Sequence, residues 1–509
     1  PQDHNELIVH RRLEDELMNL SRRHFLEAGI GASFAGAVGA SVGLGAAAET
    51  ANMPAWHLGY QNAPAAGFDP SPMRLVFGKA PADLKGSLYR NGPAQMSYGD
   101  EYASHWFDGD GLMHRIAIED GEAVHQARFV ETKKRREEQA AQTFLAPGFG
   151  TIGDESYSVQ GPDDTNAANT SVLMVNGELL ALWEAGSAVS MDAETLETKG
   201  PKTWRDDLKG MPFLAHPKVE PDGRIWNLAV GGPRVGIYRI GANGALEDFG
   251  MVNIGRAAYI HDWTMSERHL IILVQPWINE SFRPPVVAGF EWQPQHGLQM
   301  LIVDKDDFTN QRWVQAPPRM FYHTGSAWEE SDGTLKFDAA FYREPVLGLG
   351  GGSAEIRGEW DQAYASEDGI LTLVEIPPQG DAKFIETGIV GEFPQVDPRY
   401  RGKHRNLVAL AGGASANRPG ATALTVHNWI SGETQSFAFG DNRMVEEFLF
   451  VPKERGQSDL DSWLVGPVLN IKAGVREICV FDAAHVDDGP VCIWQADYSW
   501  PLGFHGTWA

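Results

Sequence analysis

Cysteine is almost absent from this sequence, whose 509 residues include only Cys479 and Cys492. Two thiols are too few for a disulfide scaffold, and too few for a thiolate zinc site or an iron–sulfur cluster. Both cysteines lie in short apolar runs, on either side of the loop DAAHVDDG. This pattern predicts two neighbouring strands with both side chains in the core, and it leaves open whether the cysteines are bonded.

Basic residues are also scarce. The chain has 42 lysines and arginines against 68 aspartates and glutamates, which gives a formal net charge of −26. Nucleic-acid binding requires clustered cations that neutralise phosphates, so no nucleic-acid partner is expected. Broad electrostatic attraction to anionic lipid is disfavoured for the same reason.

Long helix-forming runs are few, whereas glycine reaches 56 residues and tryptophan 16. Short β-type runs such as HLIILVQPW and MLIVDKD recur between turn residues, and the Asn-Gly of VNGE indicates a hairpin. No linker divides residues 49–509, so the sequence predicts one all-β domain, either a propeller or a large barrel. Segments 131–142 and 201–211 are expected to leave this framework, the first as a highly charged helix with a solvated face.

The N-terminal region has a different character. Arg22 and Arg23 are followed by a weakly apolar run rich in glycine and alanine that ends in three alanines at 46–48. This pattern is typical of a twin-arginine export signal with a small-residue cleavage site, and the run is too poor in large apolar residues for a firm membrane anchor. We therefore expect residues 1–48 to be an export signal and the mature protein to be periplasmic. No other stretch approaches the length and apolarity of a membrane span.

Four of the sixteen histidines border apolar runs in compact settings: His216, His261, His323 and His505. They are 45, 62 and 182 residues apart, and a propeller blade takes roughly 40–50 residues plus insertions. One histidine on each of several blades would then point at the central axis, where a ring of imidazoles forms a natural metal site. The alternative is that each is a hydrogen-bonded core residue.

Further motifs make a family resemblance specific. Together with the four histidine contexts, six stretches resemble the carotenoid cleavage oxygenase family over about residues 60–508: YRNGPA (89–94), HWFDGDGLMH (105–114), LALWEAG (180–186), EFPQVDPRYRGK (392–403), FLFVPK (448–453) and PLGFHGTW (501–508). The resemblance implies a seven-bladed β-propeller, capped by a dome of loops and helices over an axial metal site. It also implies one non-haem Fe(II) per chain, held by the four histidines.

The same resemblance implies roles for three glutamates. A ligating histidine usually has its second ring nitrogen held by a carboxylate or carbonyl. The matching positions are Glu184, Glu392 and Glu447; Glu446 adjoins the last, but register with the FVP motif favours Glu447. Neutral imidazoles suit Fe(II), leave its charge uncancelled and leave positions for O2 and substrate.

The expected reaction is cleavage of a C=C bond by O2 to give two carbonyl products. The hydrophobic substrate would be a carotenoid or apocarotenoid, or a stilbene or phenylpropene, and the sequence does not separate these classes. The alternative function is a catalytically inactive propeller that acts as a binding or scaffold protein, with a histidine cluster that is only structural.

Substrate-binding residues are less well defined. Stilbene-cleaving members of the family hold the phenol with a tyrosine and a lysine, and the corresponding regions here contain Tyr102 and Lys134, with Lys133 an equal candidate. A lysine beside a phenol favours the phenolate. Phe107 and Phe321 adjoin the motifs and are candidates to line a tunnel, although core packing explains them equally well.

Two other features lie in the predicted dome. His105 and His114 are expected not to bind metal, because tight turns at the glycines and aspartates explain the stretch HWFDGDGLMH that begins and ends with them. The apolar, loop-like segment 144–153 is a candidate for the dome entrance, or for a peripheral contact with a membrane that dissolves the substrate.

Overall fold

The computed structural model describes residues 53–360 and 369–509, so the expected export signal at 1–48 lies outside the described residues. Within these ranges, the chain forms seven antiparallel blades. Three separate four-stranded sheets come first in the chain: Ser171–Val175, Glu178–Leu182, Val189–Met191 and Thr198–Pro201; then Lys218–Val219, Ile225–Val230, Arg234–Ile240 and Leu246–Asn253; then Thr264–Met265, His269–Val274, Leu298–Asp304 and Gln311–Ala316.

The next two blades share one long strand. They comprise Met320–Glu329, Leu335–Tyr342, Ile370–Ile376, Lys383–Gln395, Leu407–Gly412, Ala423–Asn428 and Thr434–Ala438. The strand Lys383–Gln395 pairs with the earlier blade through its first half, and with the later blade from Gly391 onwards.

The last two blades close the ring by joining the two ends of the chain. Their strands are Phe68–Gly78, Gly86–Pro93, Gly111–Glu119, Glu122–Phe129, Arg443–Val445, Leu449–Pro452, Ser462–Asn470, Val475–Asp482, Cys492–Gln495 and His505–Trp508. The C-terminal strand pairs with Gly86–Pro93, and Phe68–Gly78 pairs with both Glu122–Phe129 and Cys492–Gln495. The predicted seven-bladed propeller is therefore confirmed.

Loops, short hairpins and short helices make up the rest of the described chain. The hairpins pair Ser97–Tyr98 with Glu101–Tyr102, and Trp277–Asn279 with Phe290–Trp292. The α-helices are Lys133–Ala141 and Ser353–Ile356; the 3-10 helices are Ala55–Gly59, Trp106–Asp108, Pro162–Asp164, Asp206–Leu208, Val286–Gly289, Pro294–His296, Pro398–Tyr400 and Val486–Asp488. In these parts of the chain, no helix is both long enough and apolar enough to cross a bilayer.

Blades pack face to face, and the apolar core lies between neighbouring sheets. One such cluster joins the second and third four-stranded sheets through fully buried Leu228, Trp263 and Leu270. Outer strands, by contrast, alternate exposed and buried residues, as in Gln311–Ala316, because only one of their faces packs on a neighbour.

Two local predictions hold and one is corrected. Asn176 and Gly177 both have positive φ and join two paired strands, as the Asn-Gly signal predicts. Cys479 and Cys492 are buried on neighbouring strands, and both are free. The charged segment does form the helix Lys133–Ala141, but its face is not simply solvated, because Lys134, Arg135 and Glu138 are buried in ion pairs.

Candidate metal centre

Four histidines from four different blades meet at the centre of the propeller. A ring nitrogen from each of His216, His261, His323 and His505 lies within 4.8 Å of the others, and all four residues are buried. Each lies in or just before the first strand to enter its blade, or, for His505, in the strand that closes the ring. A short apolar strand therefore presents each imidazole to the axis.

The other three blades supply carboxylates. Glu184 follows the second strand of its blade, Glu392 lies in Lys383–Gln395, and Glu447 comes just before Leu449–Pro452. Glu184 pairs with Nδ1 of His261; Glu392 Oε2 lies 2.6 Å from Nδ1 of His323, and Glu447 Oε1 lies 2.9 Å from Nδ1 of His505. In the described chain, no glutamate contacts His216.

These hydrogen bonds determine which ring nitrogen carries the proton. A carboxylate only accepts, so Nδ1 of His261 and His323 must donate, and in the neutral ring each Nε2 is left with a lone pair. Yet Nε2 of His261 lies 3.0 Å from Nε2 of His216 and 3.1 Å from Nε2 of His323. Two acceptors at this distance repel each other, whereas neighbouring ligands on one metal, with bonds of about 2.1 Å, lie about this far apart. The donor set therefore fits a metal ion.

Burial keeps two of the ligands neutral, which is the form that binds metal. It lowers the pKa of His216 well below its usual range, and it lowers the pKa of His505 to about 4 although Glu447 acts in the opposite direction. For His261, burial also lowers the pKa, but the charge and hydrogen bond of Glu184 outweigh it and the pKa is raised.

The structure places Glu447, not Glu446, against His505. Glu447 is 1% exposed and also accepts hydrogen bonds from Arg90 at 2.5 Å and from the Gly506 amide at 2.9 Å. Burial raises the pKa of Glu447, but His505 and Arg90 outweigh it and the pKa is lowered. Glu446 instead pairs with Arg476 and accepts from the Gly503 amide.

Sequence reasoning missed Asp262, which ties three ligand-bearing segments together. Its Oδ1 accepts from Nζ of Lys218 at 2.6 Å, and its Oδ2 accepts from the Thr324 amide at 2.7 Å and the Thr324 hydroxyl at 2.8 Å. Lys218 lies two residues after His216, Asp262 directly follows His261, and Thr324 directly follows His323. The one available signal was a carboxylate next to a candidate ligand in the YIHDW stretch.

Aromatic side chains lie together on one side of the four histidines, and several of them come just before a histidine in the sequence. Tyr259, Tyr322 and Phe504 come one or two residues before a histidine, and dome residues pack on them. Phe149 lies 5.9 Å from Tyr259, and Phe107 lies 5.6 Å from Phe504 (ring centroids). Segment 144–153 thus brings Phe149 to an aromatic cluster beside the metal centre.

The predicted substrate residues differ in position. Phe107 belongs to this aromatic cluster, but Phe321 does not: it is fully buried between two blades, 6.0 Å from Phe341. Tyr322 lies beside the metal centre instead, with its ring centroid 5.8 Å from that of His261, and the expectation for Phe321 is corrected to core packing. Tyr102 packs in the dome with Phe144.

Lys134 is buried in the dome, where its ammonium contacts two carboxylates. Nζ lies 2.9 Å from Asp110 and 2.7 Å from Glu138. Burial lowers the pKa of Lys134, but the two carboxylates outweigh it and the pKa is raised, so this lysine is charged. Lys133 instead pairs with Asp164 near the surface.

His105 and His114 lie apart from the four-histidine cluster. His105 accepts from the Phe107 amide through Nδ1 and packs on Phe149, whereas His114 lies 3.0 Å from His125 in a separate buried pair. In the described residues, neither belongs to a group that could hold a metal ion.

Known proteins share both sequence and fold with this chain. Residues 63–509 match the family model for RPE65, the retinal pigment epithelial membrane protein. Resveratrol cleavage oxygenase 1 of Aspergillus fumigatus is 24% identical over 85% of this chain and 91% of its own length. The apocarotenoid-15,15'-oxygenase of Synechocystis is 26% identical (85% and 92%), and the isoeugenol monooxygenase of Pseudomonas nitroreducens is 24% identical (85% and 93%).

A solved structure agrees in fold. The cobalt-substituted Synechocystis ACO superposes with a TM-score of 0.81 at 23% identity, covering 89% of this chain and 98% of that one. The family match spans all seven blades, all four histidines and all three glutamates. This chain therefore belongs to the RPE65 and carotenoid cleavage oxygenase family.

Proposed function

We propose that this protein is a non-haem Fe(II)-dependent oxygenase that cleaves the C=C bond of a hydrophobic alkene with O2 and releases two carbonyl products. The observation that carries this proposal is the set of four buried imidazoles, three of them held by glutamates, beside an aromatic cluster. Iron in this set would supply redox chemistry, with positions open to O2 and substrate because the histidines supply only four ligands.

The protein's own residues orient the metal ligands and form the surface that binds the alkene. Glu184, Glu392 and Glu447 keep the proton on Nδ1 of their histidines, so that each Nε2 lone pair points at the metal position. Tyr259, Tyr322 and their aromatic neighbours give the alkene an apolar surface and exclude water from it. The scaffold alternative has no support, because lone pairs 3 Å apart do not suit a purely structural cluster and the relatives are named as oxygenases.

Two substrate classes remain within this proposal. The relatives are named for an apocarotenoid, for resveratrol and for isoeugenol, so the substrate is either a carotenoid-type polyene or a phenolic stilbene or phenylpropene. For the phenolic class, Lys134 and Tyr102 are the proposed partners of the phenol, since a charged lysine stabilises a phenolate. Its two carboxylate contacts would have to make room for that interaction.

The test is anaerobic loading with Fe(II), followed by O2 and one alkene at a time. We expect one iron per chain, and two carbonyl products by mass spectrometry from either an apocarotenal or a hydroxystilbene. An O-methylated stilbene is the matched control, because it keeps the alkene and removes the phenol. A protein that takes up no iron under these conditions would contradict the oxygenase proposal and favour the scaffold.

We also propose peripheral contact with a membrane through the dome. Ile152 is 59% exposed, Phe282 46% and Val286 45%, and the Val286 amide donates to Gly148 of segment 144–153. A lipid-soluble substrate would enter from such a surface. The wild type should sediment with neutral phosphatidylcholine vesicles and an Ile152→Ser, Phe282→Ser protein should not; equal sedimentation of both contradicts the proposal.

Export to the periplasm is proposed from residues 1–48. The pair Arg22-Arg23 before an uncharged run of small residues supports a twin-arginine signal. Changing both arginines to lysine should leave the protein in the cytoplasm, as judged by fractionation. Normal periplasmic accumulation of that variant would count against the proposal.

A further inference from the structure

The side of the histidines away from the aromatic cluster contains a polar cavity. Its volume is about 110 Å³, and it is lined by residues that follow the ligands along the chain, among them Lys218, Thr324 and Thr507. Inner strands run along the propeller axis, so residues before and after a histidine lie on opposite sides of it. A cavity of this volume holds several water molecules or a small polyatomic ion.

Arg401 gives this cavity a positive charge with no direct partner. The residue is partly buried and lines the cavity, and within the described chain its guanidinium makes no hydrogen bond or ion pair. Three carboxylates lie near enough to act on it electrostatically: Asp262, Asp397 and Glu447. Each already has a cation of its own, in the pairs Asp262–Lys218, Asp397–Arg399 and Glu447–Arg90.

The remaining charges around the cavity do not cancel Arg401. The ammonium group of Lys218 donates one hydrogen bond to Asp262, and Lys218, which lines the cavity, has two further N–H donors. Glu447 is fully engaged by His505, Arg90, Gln395 and the Gly506 amide. A metal ion at the histidines would add positive charge to the same wall, since three of them line it.

We propose that this cavity binds a small carboxylate-type monoanion, of the formate, acetate or bicarbonate class, on Arg401 with Lys218 beside it. A guanidinium presents two parallel N–H groups that match the two oxygens of such an anion. The bound anion supplies a negative charge in contact with Arg401, which has no ion-pair partner among the described residues. This site lies apart from the aromatic side, and it does not depend on which alkene is cleaved or on whether cleavage occurs.

The test is calorimetric titration of the metal-loaded protein with sodium formate and with sodium acetate, at an ionic strength held by a bulky sulfonate buffer. We expect one site per chain in wild type, and binding at least about tenfold weaker in Arg401→Gln, because charge-assisted hydrogen bonds are lost. Lys403→Gln is the matched control, since it removes the same charge from an exposed side chain two residues away. Its affinity should equal that of wild type.

Three results would overturn the proposal. One is the absence of binding of either anion to wild type. Another is equal affinity in Arg401→Gln, which would place the anion on the metal. The third comes from wild-type crystals soaked in bromide, an experiment that needs no variant. An anomalous peak is expected beside Arg401, and the absence of that peak would contradict the site. Metal content and alkene cleavage are measured separately, so failure here is distinct from failure of the proposed oxygenase.

Discussion

Replacing His323 with alanine should leave a folded protein that neither retains metal nor cleaves an alkene. His323 contributes one of the four converging ring nitrogens, and its Nδ1 is held by Glu392 at 2.6 Å. Alanine removes one of the four ligand nitrogens and leaves three. Changes to groups that merely orient a ligand cost about 10–100-fold in metal affinity or activity, so loss of the ligand itself should exceed about 100-fold.

The matched control is His427→Ala. His427 is also a buried histidine on a blade strand, but it bonds to the Thr434 hydroxyl at 2.9 Å and packs on Trp429. It should keep one metal ion per chain by elemental analysis, together with full turnover. If His323→Ala kept one tightly bound iron after dialysis against a chelator, His323 could not be a ligand.

The metal centre was largely predictable because its parts lie in strong local contexts. Each histidine borders an apolar strand, and the four-strand period of a propeller explains how residues as distant as His216 and His505 meet. The pairing of glutamates with histidines was not predictable from spacing. Glu184 belongs to the first four-stranded sheet and His261 comes just before the third, so only the closed ring brings these two residues together.

Substrate-side residues were harder to predict because their positions depend on strand register and dome packing. Phe321 and Tyr322 are both aromatic neighbours of His323, and register irregularities lie between Phe321 and Thr324. Sequence alone does not say which of the two faces the axis. Likewise, the charged helix Lys133–Ala141 offers no apolar stripe, so nothing in its pattern indicated that Lys134 and Glu138 are buried.

Asp262→Asn should destabilise the fold and weaken metal binding together. Oδ1 of Asp262 accepts from Lys218 and the Trp263 amide, while Oδ2 accepts from the Thr324 amide and hydroxyl. Asparagine keeps the shape of the side chain but replaces one carboxylate oxygen with an NH2 group. Whichever way the amide is turned, this NH2 group faces N–H or O–H donors that the oxygen accepted from. It also leaves Lys218 as a buried cation without its partner, and breaking such a pair costs about 3–5 kcal/mol.

The effect on the metal follows from where these partners lie. Lys218, Asp262 and Thr324 are each within two residues of a different ligand, so the loss of this junction loosens three of the four imidazoles. We expect metal affinity to fall about 10–100-fold, as for other changes beyond the ligands themselves. Urea unfolding should be measured with and without metal, because bound metal adds stability of its own.

A second substitution separates this account from a general loss of stability. With Asp262→Asn combined with Lys218→Met, the amide carbonyl turns towards Thr324, and its NH2 faces the apolar methionine and the Trp263 amide, so one donor–donor contact remains. The double variant should therefore regain the part of the lost stability and metal affinity that the unpaired lysine causes. Glu477→Gln is the control: it breaks the ion pair of buried Glu477 with partly exposed Arg443, at 2.8 Å, and should lower the unfolding free energy without changing metal affinity. Equal metal affinity in wild type and Asp262→Asn would show that this junction does not position the ligands. If the double variant were no more stable than Asp262→Asn alone, the unpaired lysine would not be the cause of the lost stability.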